Sequence, residues 1–385
     1  MSLILAADLA AHLHDPDLRI ADVRWSLAAP AAGREAYAEA HLPGAVFVDL
    51  DSVLTAPVGP GRHPLPDPAA FVAALTALGI GREHRVVAYD DAGGTVAARL
   101  WWMLDVLGHS RVAVLDDPDL RIADVRWSLA DPPAGRDAYA AAHVPGAVFV
   151  DLDTVLTGPA GPGRHPLPSP AGFVAALGAL GIGREHRVVA YDDAGGTVAA
   201  RLWWMLDVLG HPRASVLDGG IAAWERAGLP LKAEVPVWGP AEPWPDVPGT
   251  WSRTIEREAL AARLGTLTLL DARAPERYRG EVEPVDPVAG HIPTAVSAPT
   301  GTFLELDGRF RSTTALAGRF ATLGAARGRP VVVACGSGVN ACQLALAARV
   351  AGLPDPLLYP GSYSDWSRAG MPIATGEVPG EMPAS

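Results

Sequence analysis

Residues 331–353 read VVVACGSGVNACQLALAARVAGL. Val331 to Ala334 are apolar without a break, as in a central parallel strand covered on both faces. CGSGVN is a short loop bearing two glycines. The residues after it read as a helix, with Leu344, Ala348 and Val350 among its apolar positions. Strand, glycine loop and helix are the unit of an open α/β sheet, in which ligands bind beyond the carboxyl ends of the strands. Cys335 stands at such an end. It is one of only two cysteines in 385 residues, the other being Cys342.

The same rhythm extends outward. Upstream, IEREALAARLG reads as a helix, LTLLDAR as a strand and TTALAGRFATLG as a helix. Before these lies 233–250, AEVPVWGPAEPWPDVPGT, rich in Pro and Gly and read as a linker. Further upstream a repeat dominates. Residues 15–116 recur at 117–218 with a constant offset of 102 and only 14 differences. Within copy 1, RIADV, AVFVD (45–49), RVVAYD (85–90) and VAVLD (112–116) read as strands. DPAAFVAALTALG (67–79) and TVAARLWWMLDVLG (95–108) read as helices, the first with Asp67 as N-cap and Pro68 behind it. Alternation of this kind implies an α/β fold, each repeated domain a parallel sheet with helices on both faces.

The expected organisation is 1–116 (copy 1), 117–232 (copy 2), the linker 233–250 and a third, distantly related domain at 251–378. Only copy 1 is preceded by the helical segment LAADLAAHL, and only copy 2 is followed by GGIAAWERAGLPL. Copy 1 therefore lacks a closing helix and is expected to expose an apolar sheet face. Removing one copy leaves 283 residues, a natural two-domain length.

Composition narrows the function. Hydrophobic residues at 49% and charged residues at 19% describe a globular chain. A net charge of −12 argues against nucleic acid or an anionic membrane as the main partner. No apolar run reaches the roughly 18–20 residues of a membrane span. The N-terminus has no basic region ahead of its apolar stretch, which argues against a signal peptide. Two cysteines seven positions apart do not make a disulfide framework, and a cytoplasmic setting is expected.

At its strand end, Cys335 has the setting of a nucleophile. Gly336 and Gly338 let backbone N–H groups turn inward as an anion nest, and the helix N-terminus adds positive potential. Both favour the thiolate. Cys342, on a helix face, reads as a core residue. A phosphate loop is disfavoured because GxxxxGK[ST] is absent. Phosphatase chemistry of the C-x5-R type is disfavoured because the sixth residue after Cys335 is Ala341. In copies 1 and 2 the corresponding point reads VVAYDDAGGTVAARL. Asp90 and Asp192 there would repel an anion, so both copies read as catalytically silent.

Several motifs then converge: LRIADVRWSL, HVPGAVFVDLD, RLWWML, LDGGIAAW, LDARAPERYRGE, GHIP, CGSGVNA and YPGSYSDW. In these the chain resembles the two-domain rhodanese-type sulfurtransferases, which pair an inactive N-terminal domain with an active C-terminal one. The loop CGSGVNA is similar to that of the mercaptopyruvate type, departing where Asn340 replaces a usual threonine, rather than to the basic Cys-Arg-Lys-Gly loop of thiosulfate enzymes. The resemblance implies a persulfide on Cys335, made from 3-mercaptopyruvate and passed to a thiol, a thioredoxin-like protein or cyanide, without metal or other cofactor. The backbone N–H groups of residues 336–341, among them Gly336, Gly338, Val339 and Asn340, would cradle the outer sulfur. Arg273 and Arg279 are the candidates for the donor's carboxylate, arginine offering a planar fork for bidentate pairing. Ser337 is implied in a proton relay with His165 of GRHPLP and Asp153 of DLD. Copy 1 carries the same pair as His63 and Asp51. Copy 2, joined directly to the third domain, is the expected partner. Thiosulfate:cyanide transfer and a non-enzymatic persulfide carrier are the alternatives.

Overall fold

The computed structural model describes residues 3–5, 9–27, 29–91, 94–116, 120–161, 163–229, 231–233, 235–236, 238–325 and 328–381. The chain divides into two compact units, Met1–Pro118 and Asp119–Ser385.

The first unit is copy 1. Its strands are β1 (Leu3–Leu5), β2 (Leu18–Asp22), β3 (Ala45–Phe47), β4 (Arg85–Tyr89) and β5 (Val112–Asp116). They form one parallel sheet in the order β1-β5-β4-β2-β3. Its helices are α1 (Ala32–Glu39), α2 (Pro68–Ala77) and α3 (Ala97–Val106). The Asp67 carboxylate caps α2 by accepting the N–H groups of Ala69 and Ala70, as the sequence led one to expect. Alternate strand residues serve opposite faces. Val86 and Ala88 join one apolar cluster, and Val87 and Tyr89 join another. Of the region read as a helix at 5–13, Leu5 ends edge strand β1, Leu9 and Ala10 are helical, and residues 6–8 lie outside the described residues.

The second unit holds two further sheets. Copy 2 contributes β6 (Leu120–Asp124), α4 (Ala134–Ala141), β7 (Ala147–Phe149), α5 (Pro170–Ala179), β8 (Arg187–Tyr191), α6 (Ala199–Val208), β9 (Ala214–Val216) and the closing helix α7 (Gly220–Arg226). Its sheet order is β7-β6-β8-β9. Ile221 and Trp224 of α7 cover a cluster with Tyr139 and Val144, which are 6% and 1% exposed. Tyr37 and Leu42, the same positions in copy 1, are half-buried. They pack instead against the cluster of Ile4 and Leu9.

After it come α8 (Arg257–Ala261), β10 (Thr268–Asp271), α9 (Pro275–Arg279), β11 (Val296–Ser297), α10 (Thr313–Thr322), β12 (Val331–Ala334), α11 (Ala341–Val350), β13 (Leu357–Leu358) and α12 (Ser362–Arg368). The third sheet runs β11-β10-β12-β13, all parallel. One apolar core joins it to copy 2: Phe173, Trp204 and Leu206 belong to the same cluster as Val333, Leu344 and Ala348. Helices α6 and α11 pack together across this boundary, where Gln343 donates to the Gly195 carbonyl at 2.6 Å. The segment read as a linker is no free tether. Trp244 is buried against copy 2, and Trp238 packs beside it.

Candidate active site

Strand β12 ends at Ala334, which pairs in register with Asp271 of β10. Cys335 is therefore the first residue beyond the sheet. The chain turns there through Gly338, whose φ of 77° suits glycine. A Cβ on Gly338 would lie 2.4 Å from the Pro360 carbonyl oxygen, so glycine is also required by space. The turn aims two N–H groups back at the cysteine sulfur, from Gly338 at 3.1 Å and from Ser337 at 3.5 Å. Of the expected cradle these two are the donors that reach the sulfur.

The loop is held by the segment GSYS, 361–364. Tyr363 N–H donates to the Cys335 carbonyl at 2.9 Å, and Ser364 N–H to that of Gly336 at 3.0 Å. Ser362 Oγ accepts the Cys335 N–H at 3.1 Å and donates to the Tyr359 carbonyl. Ser362 does this with φ at 53°, a left-handed conformation costly for a side chain and sustained by those bonds. Cys335 is 3% exposed and faces a cavity of about 500 Å³, shared with Gly336, Ser337, Val339 and Asn340. Cys342 is fully buried, and burial pushes its thiol up to about 12. It is a neutral core thiol at ordinary pH.

Copy 2 supplies the opposite wall. Its GRHPLP loop lies against the clamp: Gly163 approaches Gly361, and Arg164 N–H donates to Ser364 Oγ at 3.0 Å. This docking brings His165 Nδ1 to 2.9 Å from Ser337 Oγ. Its Nε2 lies 3.6 Å from an oxygen of Asp153, which is half exposed and also accepts the Trp127 indole N–H at 3.0 Å. Burial, then the charges of Arg201 and Arg164, hold His165 down to about 4. It is neutral at neutral pH. With the proton on Nε2 facing Asp153, Nδ1 accepts the Ser337 hydroxyl hydrogen.

The arginines near the loop differ in what they already bind. Arg273 lines the cavity, but its guanidinium already serves Asp271 at 2.7 Å and the Gly290 carbonyl at 2.7 Å, and lies 3.8 Å over the Tyr363 ring. Arg24 and Arg126 make the same bonds with Asp22 and Asp124 in the other sheets. Arg279 does not line this cavity. It is paired with Glu281 at 2.7 Å on the surface, two residues beyond Arg277 on the same short helix. Arg277 lines the cavity beside Arg164, and the ends of both side chains lie near Gly336. Arg164 pairs with Asp286, and Arg277 with Glu283. Burial resists the Glu283 charge, yet Arg277 holds its carboxyl below the usual range.

A further arginine, Arg201 of α6, is fully buried. It donates to the carbonyls of Gly338 (3.1 Å), Leu156 (2.9 Å) and His165 (2.9 Å). One guanidinium thus ties the histidine loop to the cysteine loop, and burial lowers its pKa. The motif RLWWML contained it, but its apolar neighbours gave no sign that its target was a set of carbonyls.

Register shows which residue stands at the matching point of the other two sheets. Tyr191 pairs with Asp124 as Ala334 pairs with Asp271, so Asp192 occupies the position of Cys335. Its carboxylate accepts the N–H groups of Ala194, Gly196, Val198 and Ala199 at 2.8–2.9 Å. Asp90 accepts those of Gly94, Val96 and Ala97. In both copies a built-in anion fills the nest that the cysteine loop leaves to a sulfur.

Rhodanese-like domain is the family that matches this chain, at residues 5–117, 115–227 and 256–369. The chain belongs to the rhodanese family. A probable 3-mercaptopyruvate sulfurtransferase of Pseudomonas aeruginosa is 46% identical to this rhodanese over 277 residues, 69% of this chain and 95% of that relative. A putative thiosulfate sulfurtransferase of Mycobacterium tuberculosis is 44% identical over 255 residues, 65% of this chain and 88% of its own. Among solved structures, SseA of Escherichia coli, a 3-mercaptopyruvate sulfotransferase, aligns with a TM-score of 0.56 and 30% identity over 64% of this chain and 94% of its own. These likenesses make the rhodanese described here a sulfurtransferase. Among the described residues no helix is long and apolar enough to cross a membrane.

Proposed function

We propose that the chain transfers a sulfane sulfur from 3-mercaptopyruvate, through a persulfide on Cys335, to a thiol, a reduced thioredoxin-like protein or cyanide. The observation that carries this reading is the meeting of Cys335 and the Ser337–His165 pair in one cavity, on a loop that has no basic residue. A dianionic donor such as thiosulfate would gain from lysine or arginine in the loop itself. Here the cavity's arginines stand outside it and are matched by carboxylates: Arg164 and Arg277 by Asp286 and Glu283, Arg273 by Asp271. So compensated a wall favours a single carboxylate over a second negative charge.

The Cys335 thiolate attacks the donor's sulfur and the carbon–sulfur bond breaks. The bonding pair leaves with carbon as the enolate of pyruvate, which takes a proton at carbon to give pyruvate. The proton is the one Cys335 gives up on becoming a thiolate: it passes through Ser337 to His165 Nδ1 and returns through the Ser337 hydroxyl to the enolate carbon, with Asp153 orienting the imidazole. Arg277 and Arg164 bind the donor's carboxylate. The new outer sulfur takes over the N–H donors of Ser337 and Gly338. An acceptor thiolate then attacks that sulfur and frees Cys335, a ping-pong cycle. Comparing kcat/KM for 3-mercaptopyruvate and thiosulfate tests the reading. Preference for 3-mercaptopyruvate is expected, and preference for thiosulfate would transfer the assignment to that donor.

A further inference from the structure

The segment after copy 2 shows what a groove on this kind of domain accepts. Between α5 and α6, Trp238 packs on Gly181 with the Arg121 guanidinium 4.0 Å over its ring. Trp244 lies 5.4 Å from the His211 ring and 6.0 Å from the Arg184 guanidinium. Between the two tryptophans, Ala241 N–H donates to the Gly178 carbonyl at 2.9 Å.

Copy 1 has the same groove between α2 and α3, as a cavity of about 300 Å³ lined by Val72, Ile80, Arg82, Leu104, Leu107 and His109. Each matches its counterpart in copy 2 in residue type, and Arg19 matches Arg121. Their surroundings differ. Val72 and Leu107 are 51% and 41% exposed, whereas Val174 and Leu209 are 6% and 8% exposed. His109 is 7% exposed, lines the cavity, and among the described residues neither of its ring nitrogens has a hydrogen-bond partner. The single lining difference is Thr76 in place of Gly178. A Cβ at Gly178 would lie 3.8 Å from the Ala241 carbonyl, an ordinary contact, so the Cβ of Thr76 does not by itself close the path.

We propose that copy 1 carries a docking groove for an extended, proline-rich segment of a partner protein bearing two tryptophans six positions apart. One indole lies under Arg19, and the other lies against His109 and Arg82, where cations meet aromatic faces. Proline stiffens such a segment in advance and lowers the entropy lost on docking. The chain's own copy of this motif is engaged at copy 2, so a second copy of the chain would have to vacate that groove to serve.

The test titrates the full-length protein with a synthetic peptide of residues 235–249, monitored by calorimetry. One peptide per chain is expected. L107E, or replacing both peptide tryptophans by alanine, should weaken binding at least about tenfold, while L107E leaves sulfur transfer unchanged. Absence of saturable binding, or binding indifferent to L107E, would overturn the proposal. So would a concentration-dependent dimer, seen by light scattering, that L107E dissolves and the peptide does not.

Discussion

Cys335 combines near-complete burial with access to a cavity, and its sulfur already receives two amide hydrogens. C335S keeps the fold and is expected to lose all sulfur transfer, measured as pyruvate release. C342A, at the neutral core thiol, should cost about 1 kcal/mol of stability and leave turnover intact. His165 makes a prediction about pH. Its folded pKa of about 4 lies below the ordinary 6.5, chiefly through burial. Between these values the unfolded chain takes up a proton that the folded chain refuses. The stability present above pH 6.5 is therefore lost as pH falls towards 4, by up to roughly 3 kcal/mol. Urea unfolding at pH 7 and pH 5 should show this fall, and H165Q should flatten it. At this scale the sequence was informative about chemistry and poor about direction. Residue type and motif singled out Cys335, Ser337, His165 and Asp153. Nothing in PERYR said which arginine faces inward, because α9 is one short turn whose phase is set by its packing.

Elements act here through what they hold together. The cysteine loop is gripped by 361–364, and the histidine loop docks on the same segment. G338A places a methyl group against Pro360 at a positive φ, and about 1–3 kcal/mol of destabilisation is expected, with loss of activity. Arg201 joins both loops from α6. R201M removes a donor from three carbonyls in the core and should lower kcat at least tenfold, with about 3 kcal/mol lost in thermal unfolding. Among the described residues Arg99, its match in copy 1, bonds the Leu54 and His63 carbonyls, so R99M should lower stability and spare turnover. Strand and helix positions were legible, since apolar runs, caps and glycine stops set them locally, whereas the order of strands in each sheet was not. The clamp was not, because Ser362 acts through a left-handed backbone no composition reveals. The Pro-rich stretch at 233–250 read as a tether because its tryptophans find their pockets only in three dimensions.

At the scale of the whole molecule, two nearly identical copies have different surroundings. Trp204 is 1% exposed beneath the third sheet's helices, and Trp102, its twin, is 44% exposed. Asp207 pairs with Arg349 at 2.9 Å, and the Arg349 guanidinium lies 5.3 Å over Trp203. None of the 14 differences between the copies falls on Arg164, His165, Arg201, Trp203 or Asp207, which is why the repeat could not reveal which copy completes the site. Connectivity favoured copy 2, whose His165 lies 2.9 Å from Ser337. H165A should therefore lower kcat by about 10²-fold, while H63A leaves it unchanged. The most direct measurement is intact-protein mass spectrometry after a single exposure to 3-mercaptopyruvate. A gain of about 32 Da mapping to Cys335, absent in C335S, is the persulfide that the mechanism requires. A protein that releases pyruvate without carrying that sulfur, or that carries it elsewhere, would contradict it.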